Sequence, residues 1–174
     1  MRLRVVALAG VVAAVLAVLA VNAGAAGAPT TAVCTLKFTV TLSPGINTKP
    51  SGGTFTSSGG TSSCRGTVGG ASATGASGGI TVSGTYGPTD TCNKGAGTGN
   101  FTATVPTKSG TKTVSGSFTF SRTATAGTFK GTANDGQGNT ANANGAFTFV
   151  PSGSNCVTTT VTRANVNGVA SFKG

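Results

Sequence analysis

A three-residue unit, a glycine, then one small or polar residue, then an aromatic ring, returns six times along this chain. It stands at Gly53-Thr54-Phe55, Gly84-Thr85-Tyr86, Gly99-Asn100-Phe101, Gly116-Ser117-Phe118, Gly127-Thr128-Phe129 and Gly145-Ala146-Phe147. Two positions apart, the glycine and the ring fall on one face of a β-strand. A ring from one strand then covers the bare backbone of a neighbour's glycine, a large-against-small packing suited to a curved sheet. The units recur at uneven intervals, which argues against a β-solenoid of fixed period. They fit a barrel or sandwich whose strands share a design and whose loops vary.

The segments around these units alternate with a period of two. Cys34, Leu36, Phe38, Val40 and Leu42 interleave with Thr35, Lys37, Thr39 and Thr41, the signature of a half-buried strand. The same alternation returns from Gly99 to Val105, from Val114 to Phe120 and from Ala141 to Phe149, with β-branched threonine filling much of the opposite face. Past residue 26 the chain holds only two Leu, two Ile and nine Phe. So thin a core under a high net charge is the composition of disordered chains, but disorder has no reason to keep strict alternation. Thr-x-Thr triplets such as Thr39-Val40-Thr41 and Thr102-Ala103-Thr104 resemble ice-binding rows. Without an even repeat, the threonines read as the solvent face of strands. Turn signals stand at Ser43-Pro44-Gly45, Ser109-Gly110 and Asn134-Asp135-Gly136, and Asn167-Gly168 reads as a two-residue hairpin turn between Val166 and Val169. The expected fold is all-β: a single antiparallel β-barrel or β-sandwich of about eight to ten strands, preceded by a signal-peptide helix.

Arg2 and Arg4 precede an unbroken apolar run from Val5 to Val21 and then small residues from Ala23 to Ala28, the layout of a secretory signal. The expected organisation is a signal peptide over 1–26, a loose N-terminal arm over 27–33 and one all-β domain over 34–174. The product is then secreted or extracellular, with cell-wall association as an option, and meets a membrane only through the signal before cleavage. Export makes disulfides the default for Cys34, Cys64, Cys92 and Cys156. A zinc site wants short spacings, and the nearest pair here is 28 residues apart. A hairpin centred near Thr48 pairs Cys34 with Cys64 and leaves Cys92 for Cys156. One centred near Gly78 pairs Cys64 with Cys92 and leaves Cys34 for Cys156. The first has a slight preference, and both stay open at this point. Each bridge contributes about 2–4 kcal/mol, a large share of a typical stability of about 5–15 kcal/mol.

The tools of catalysis are scarce. There is no His and no Trp, and the only acids are Asp90 and Asp135. General acid–base chemistry, nucleophile activation and metal binding draw mostly on His, Cys and carboxylates. No catalytic, cofactor-binding or metal-ligating residue is expected, and no cofactor. Asp135, within Asn134-Asp135-Gly136-Gln137-Gly138-Asn139, has the look of a calcium loop, but calcium wants six to eight oxygens, usually from several carboxylates. A hairpin turn is the simpler reading. Asp90 and Asp135 both sit in turn-like stretches, with no reason to meet as a carboxylate pair.

Charge is the remaining signal. The formal net charge of +10 falls to +8 without Arg2 and Arg4. Such a field draws polyanions in general: cell-wall polymer, acidic polysaccharide or nucleic acid. It also serves as a plain solubilising surface, since the basic residues are scattered. Lys108 and Lys112, astride one hairpin tip, come nearest to a cluster and are the candidate contact with an anionic surface. No interleaving of aromatic and basic residues suits single-stranded nucleic acid, so no specific nucleic-acid partner is expected. Oligomeric state is not legible.

Phe38-Thr39-Val40-Thr41-Leu42-Ser43-Pro44-Gly45 resembles the opening strand of small secreted Gly/Thr-rich β-proteins of high-GC Gram-positive bacteria. Gly145-Ala146-Phe147-Thr148-Phe149-Val150-Pro151, with Asn155-Cys156-Val157-Thr158-Thr159 after it, resembles their closing segment, and the Ala/Val-rich leader is similar. The resemblance implies secretion and a β fold. That group has no known activity, so it implies no functional residue. The expected function is non-catalytic: a binding or structural component of the envelope or extracellular space, with a small-ligand carrier using the barrel interior, or a secreted inhibitor, as alternatives. An open apolar cavity favours the carrier, and a well-packed core argues against it.

Overall fold

Inward and outward residues alternate along every long strand of this protein, and that alternation closes it into a barrel. The structure, a computed structural model, describes residues 28–153 and 155–174. The expected signal peptide over 1–26 lies outside the described residues. The strands are β1 (Thr31–Ile46), β2 (Ser51–Val68), β3 (Ala71–Ser72), β4 (Ser77–Asp90), β5 (Lys94–Thr107), β6 (Gly110–Thr123), β7 (Ala126–Asn134), β8 (Thr140–Pro151) and β9 (Val161–Lys173). The long strands pair in the order β1-β9-β8-β7-β6-β5-β4-β2, all antiparallel, and β2 pairs again with β1. Eight strands thus close an up-and-down barrel rather than a sandwich, and closure removes the exposed edges that invite aggregation. The short β3 adds a two-residue ladder to the end of β2.

The glycine–aromatic units explain how the wall curves. Each of the six glycines stands directly across from a ring on the next strand: Gly53 opposite Tyr86, Gly84 opposite Phe55, Gly99 opposite Phe118, Gly116 opposite Phe101, Gly127 opposite Phe147, and Gly145 opposite Phe129; Gly97, outside the units, likewise faces Phe120. A Cβ at Gly127 would lie 2.6 and 2.8 Å from carbons of the Phe147 ring. At these positions any side chain would crowd out the ring. The rings also meet one another. The Phe118 centroid lies 6.5 Å from Phe55, 6.4 Å from Phe120 and 6.3 Å from Phe129, and Phe120 lies 6.2 Å from Phe147. Such pairs add about 0.5–1.5 kcal/mol beyond simple burial.

Three local expectations differ from the structure. Asn167-Gly168 is not a turn but lies inside β9, where Gly168 sits across from Phe147 and Leu36. A Cβ there would lie 2.9 Å from the Ala146 carbonyl oxygen and 3.2 Å from the Phe147 Cβ, so the glycine admits the close backbone of β8, whereas the Phe147 ring lies over Gly127. Ser43-Pro44-Gly45 does not close the first strand, because β1 continues to Ile46 with a register irregularity after Thr41. The Tyr86 hydroxyl donates to the Pro44 carbonyl there. The arm expected over 27–33 enters β1 at Thr31, since β1 must bridge β2 and β9 to close the barrel and Ala32 already packs inside. The turns at Ser109-Gly110 and Asn134-Asp135-Gly136 stand where the sequence puts them, with Gly110 at a φ of 109° that favours glycine.

Both disulfides follow the first of the two pairings. Cys34 and Cys64 face each other across β1 and β2 and bridge inside the wall. Cys92, in the β4–β5 loop, bridges Cys156 in the β8–β9 loop.

Candidate functional site in the barrel interior

The core divides into two clusters, one toward each end of the barrel. At the end bearing the β1–β2 loop, here the lower end, Ile46, Phe149, Cys156, Val161 and Ala164 pack together. At the upper end, Ala32, Val68, Val105, Val114, Ala133 and Ala170 do so. The interior holds a cavity of about 130 Å³, and all nine phenylalanines of the chain line it. Phe118, Phe120, Phe129 and Phe147 point inward yet are only half-buried, because their rings border this space. An apolar cavity of about 150 Å³ stays dry and accepts benzene or xenon, so the room is that of one single-ring molecule. Polar side chains enter the lining at few points: Thr30 and Ser62 towards the upper end, and Tyr86, Asp90 and Arg122 towards the lower.

The outer face is the reverse. Thr85, Thr98, Thr119 and Lys130 stand in one row across β4 to β7, and Ser83, Asn100, Ser117 and Thr132 form the next. A membrane barrel carries an apolar band outside and polar groups inside. This one keeps hydrocarbon in and hydroxyls out.

The lower end is closed by polar bonds that all pass near Cys92. Its amide donates to the Asn47 carbonyl at 2.9 Å, its carbonyl accepts from Arg122 Nη1 at 3.1 Å, and its sulfur joins Cys156. Arg122 Nη1 also donates to the Ala124 carbonyl at 3.1 Å and Nη2 to the Thr91 carbonyl at 2.6 Å, while its guanidinium lies 4.7 Å from the Phe149 ring centre. The β1–β2, β4–β5, β6–β7 and β8–β9 loops are thereby tied together. Asp90 Oδ1 accepts from the Ala96 amide at 2.9 Å. Burial pushes the Asp90 carboxyl above the usual carboxylate range, outweighing the Ala96 bond and the field of Arg122. Burial likewise lowers Arg122 against the pull of Asp90, and burial, with Asp90 adding to it, raises Tyr86.

At the upper end, Thr30 Oγ1 accepts from the Gly69 amide at 3.0 Å. Asp135 is buried in the β7–β8 loop. Its carboxylate accepts from the amides of Gln137 at 2.9 Å and Asn139 at 3.2 Å, and from Asn139 Nδ2 at 2.6 Å. Burial pushes this carboxyl up, but the Asn139 side chain and the loop amides outweigh it and hold it below its ordinary value. Asp90 and Asp135 close opposite ends of the barrel. Lys108 is exposed in the β5–β6 turn, whereas Lys112 is half-buried and donates to Gln137 Oε1 at 3.3 Å. Both acids are buried, and Lys37, Lys49, Arg65, Lys94, Lys108, Lys130, Arg163 and Lys173 are exposed. Among the described residues, the exposed charged side chains are all basic.

Arg122, one of the scattered basic residues, is not on the surface: it is 6% exposed. Its parity gives it away: Val114, Gly116, Phe118, Phe120 and Arg122 share one face of β6, and that face is inside.

No protein-family model matches this chain, and neither curated proteins nor solved structures supply a match. Fold and site together define a class: a closed eight-stranded antiparallel barrel, hydroxylated outside and phenylalanine-lined inside, with room for one small molecule.

Proposed function

We propose that this is an exported, non-catalytic binding protein that carries one small apolar molecule inside its barrel. The observation supporting this reading is the apolar interior cavity of about 130 Å³ ringed by all nine phenylalanines. At about 24 cal/mol per Å³ of void, an empty space of that size forgoes about 3 kcal/mol. A purely structural envelope protein gains nothing from that penalty, whereas a carrier recovers it on loading. An inhibitor needs a loop presented to its target, and the Cys92 loop is instead drawn inward by Asn47, Arg122 and Cys156. Two disulfides are compatible with an extracellular protein. The cationic exterior supports retention near anionic wall polymer as the location in which such a carrier works.

The test is a toluene titration of the chain lacking residues 1–26, followed by calorimetry and by the methyl resonances of Leu36, Val82 and Ile80, which line the cavity. Saturable one-to-one binding with shifts at those methyls is expected, and Ala103→Leu, which fills space from the wall, weakens it. Absence of saturable binding, or shifts confined to outward residues, would remove the carrier reading.

A further inference from the structure

The two disulfides differ in what they join. Cys34 and Cys64, 4% and 2% exposed, link neighbouring strands of the wall. Cys92 is half-buried at the lower end, and its bridge to Cys156 links two loops. Those loops stand on opposite sides of the barrel: β7 and β6 separate the β9–β8 pair from the β5–β4 pair one way round, and β1 and β2 the other. The bridge therefore draws the β8–β9 loop, residues 152–160, across the lower mouth. Cys156 is 7% exposed and packs in one cluster with Ile46 and Phe149, both of which line the cavity. Its φ of 61° is one that a non-glycine residue keeps only where its surroundings impose it.

The two loops are held unequally. Apart from its sulfur, the β4–β5 loop is held through the Cys92 amide to Asn47 and through the carbonyls of Thr91 and Cys92 to Arg122. In the β8–β9 loop, Ser152 donates to the Arg163 carbonyl at 2.9 Å, beside the strand end. Beyond it, Asn155 Oδ1 accepts from the amides of Val157 and Thr158 and from the Thr158 hydroxyl, all within the loop. Among the described residues of this loop, the bridge is the tie that crosses the mouth. Resting on the carrier reading above, we infer that the β8–β9 loop is a strap latched by Cys92–Cys156, which a dithiol reductant unlatches to let the guest in or out. One thiolate of the dithiol attacks the Cys92 sulfur, the S–S bond breaks, and Cys156 leaves as a thiolate that takes up a proton. The second thiolate attacks the mixed disulfide, closes the reductant's own disulfide and frees Cys92, which is protonated in turn. Two electrons pass from the dithiol to the bridge. The Cys34–Cys64 bridge, buried in the wall, stays intact and keeps β1 and β2 joined.

The test loads residues 27–174 with toluene and titrates the complex with dithiothreitol. Freed thiols are alkylated and located by mass spectrometry. Labels are expected on Cys92 and Cys156 while Cys34 and Cys64 remain bridged. Toluene is expected to leave this form about tenfold faster or more than the oxidised one, with the β circular dichroism signal retained. Cys92→Ser combined with Cys156→Ser should exchange toluene at the fast rate without reductant. If the Cys34–Cys64 bridge opens first or at the same dithiothreitol concentration, or if toluene leaves both forms equally fast, the latch is refuted and the carrier stands. Loss of the β signal together with the guest would mean unfolding rather than the opening of a strap, and also refutes the latch. If toluene binds neither form, the carrier reading itself fails and takes this inference with it. The order of reduction and the exchange rates are read on the unaltered chain, whether or not the variant folds.

Discussion

Arg122 Nη1 lies 3.1 Å from the carbonyl oxygen of Cys92, so a buried cation is bonded to the residue on which the lower loops converge. The guanidinium fork reaches three carbonyls from two loops and still stacks on Phe149. An ammonium carries the same charge without the planar fork. Arg122→Lys is therefore expected to lower stability by about 2–4 kcal/mol, read as a drop in the urea midpoint. An unchanged midpoint would mean that the carbonyl bonds contribute little.

Gly127 and Phe147 offer the cleanest test of how the wall is packed, because the atoms nearest a Cβ at Gly127 all belong to that ring. Gly127→Ala alone is expected to cost about 1–3 kcal/mol by overpacking. Combined with Phe147→Leu, the two changes are expected to cost about 1 kcal/mol less than their separate effects added together. Strict additivity in a double-mutant cycle would show that ring and glycine do not share one space.

That pairing was legible in the sequence only in part. The Gly-x-aromatic spacing places glycine and ring on one face, and the alternation around Phe38 and Phe118 gives the inward parity. It does not say which neighbour's glycine a ring covers, since cross-strand register depends on loop lengths and on bulges such as the shift between Phe38 and Val40. Asn167-Gly168 misleads for a related reason: a turn-forming dipeptide and a glycine that admits the close backbone of a neighbouring strand look alike until β8 lies beside β9. The cavity was hidden altogether. It is a volume left between nine rings, and volume is set by barrel closure rather than by any local motif. That Asp90 and Arg122 both pack against Gly95 was hidden because the three residues come from different strands.

The two acids are expected to respond to pH with opposite signs. The loop hydrogen bonds hold Asp135 below its ordinary value, so its stabilisation is present above the ordinary carboxylate range and lost as pH falls through the lowered value. Burial raises Asp90, so its favourable contribution belongs to the protonated form and is lost as pH rises through the raised value. Asp135→Asn should accordingly be less stable than the parent at pH 7, by about 1 kcal/mol, with the gap closing in acid. Asp90→Asn should equal or exceed the parent at pH 7, and that difference should also vanish in acid. Chemical denaturation across this range checks both, and a deficit of the same sign for the two variants at pH 7 would contradict the assignment.

Retention on an anionic matrix tests the cationic exterior. The Debye length shrinks from about 10 Å at 0.1 M salt to about 3 Å at 1 M, so the protein should be held at low salt and released at high. Exposed cations are spread over the barrel, and Lys112 is engaged with Gln137. Replacing Lys108 and Lys112 by serine is thus expected to weaken retention about as much as replacing Lys37 and Lys173. A far larger loss from the first pair would mark the upper rim as the contact, and indifference to salt would reduce the charge to a solubility device.

The central claim is that the barrel encloses apolar space able to hold a guest. Diffraction from crystals of residues 27–174 under xenon pressure tests it most directly, since xenon enters dry apolar cavities of this size without help from polar groups. The expected result is a strong xenon peak inside the barrel, within van der Waals contact of the phenylalanines that line it, with little movement of the wall. A barrel interior filled by side chains or by ordered water, with xenon absent from it, would contradict the account.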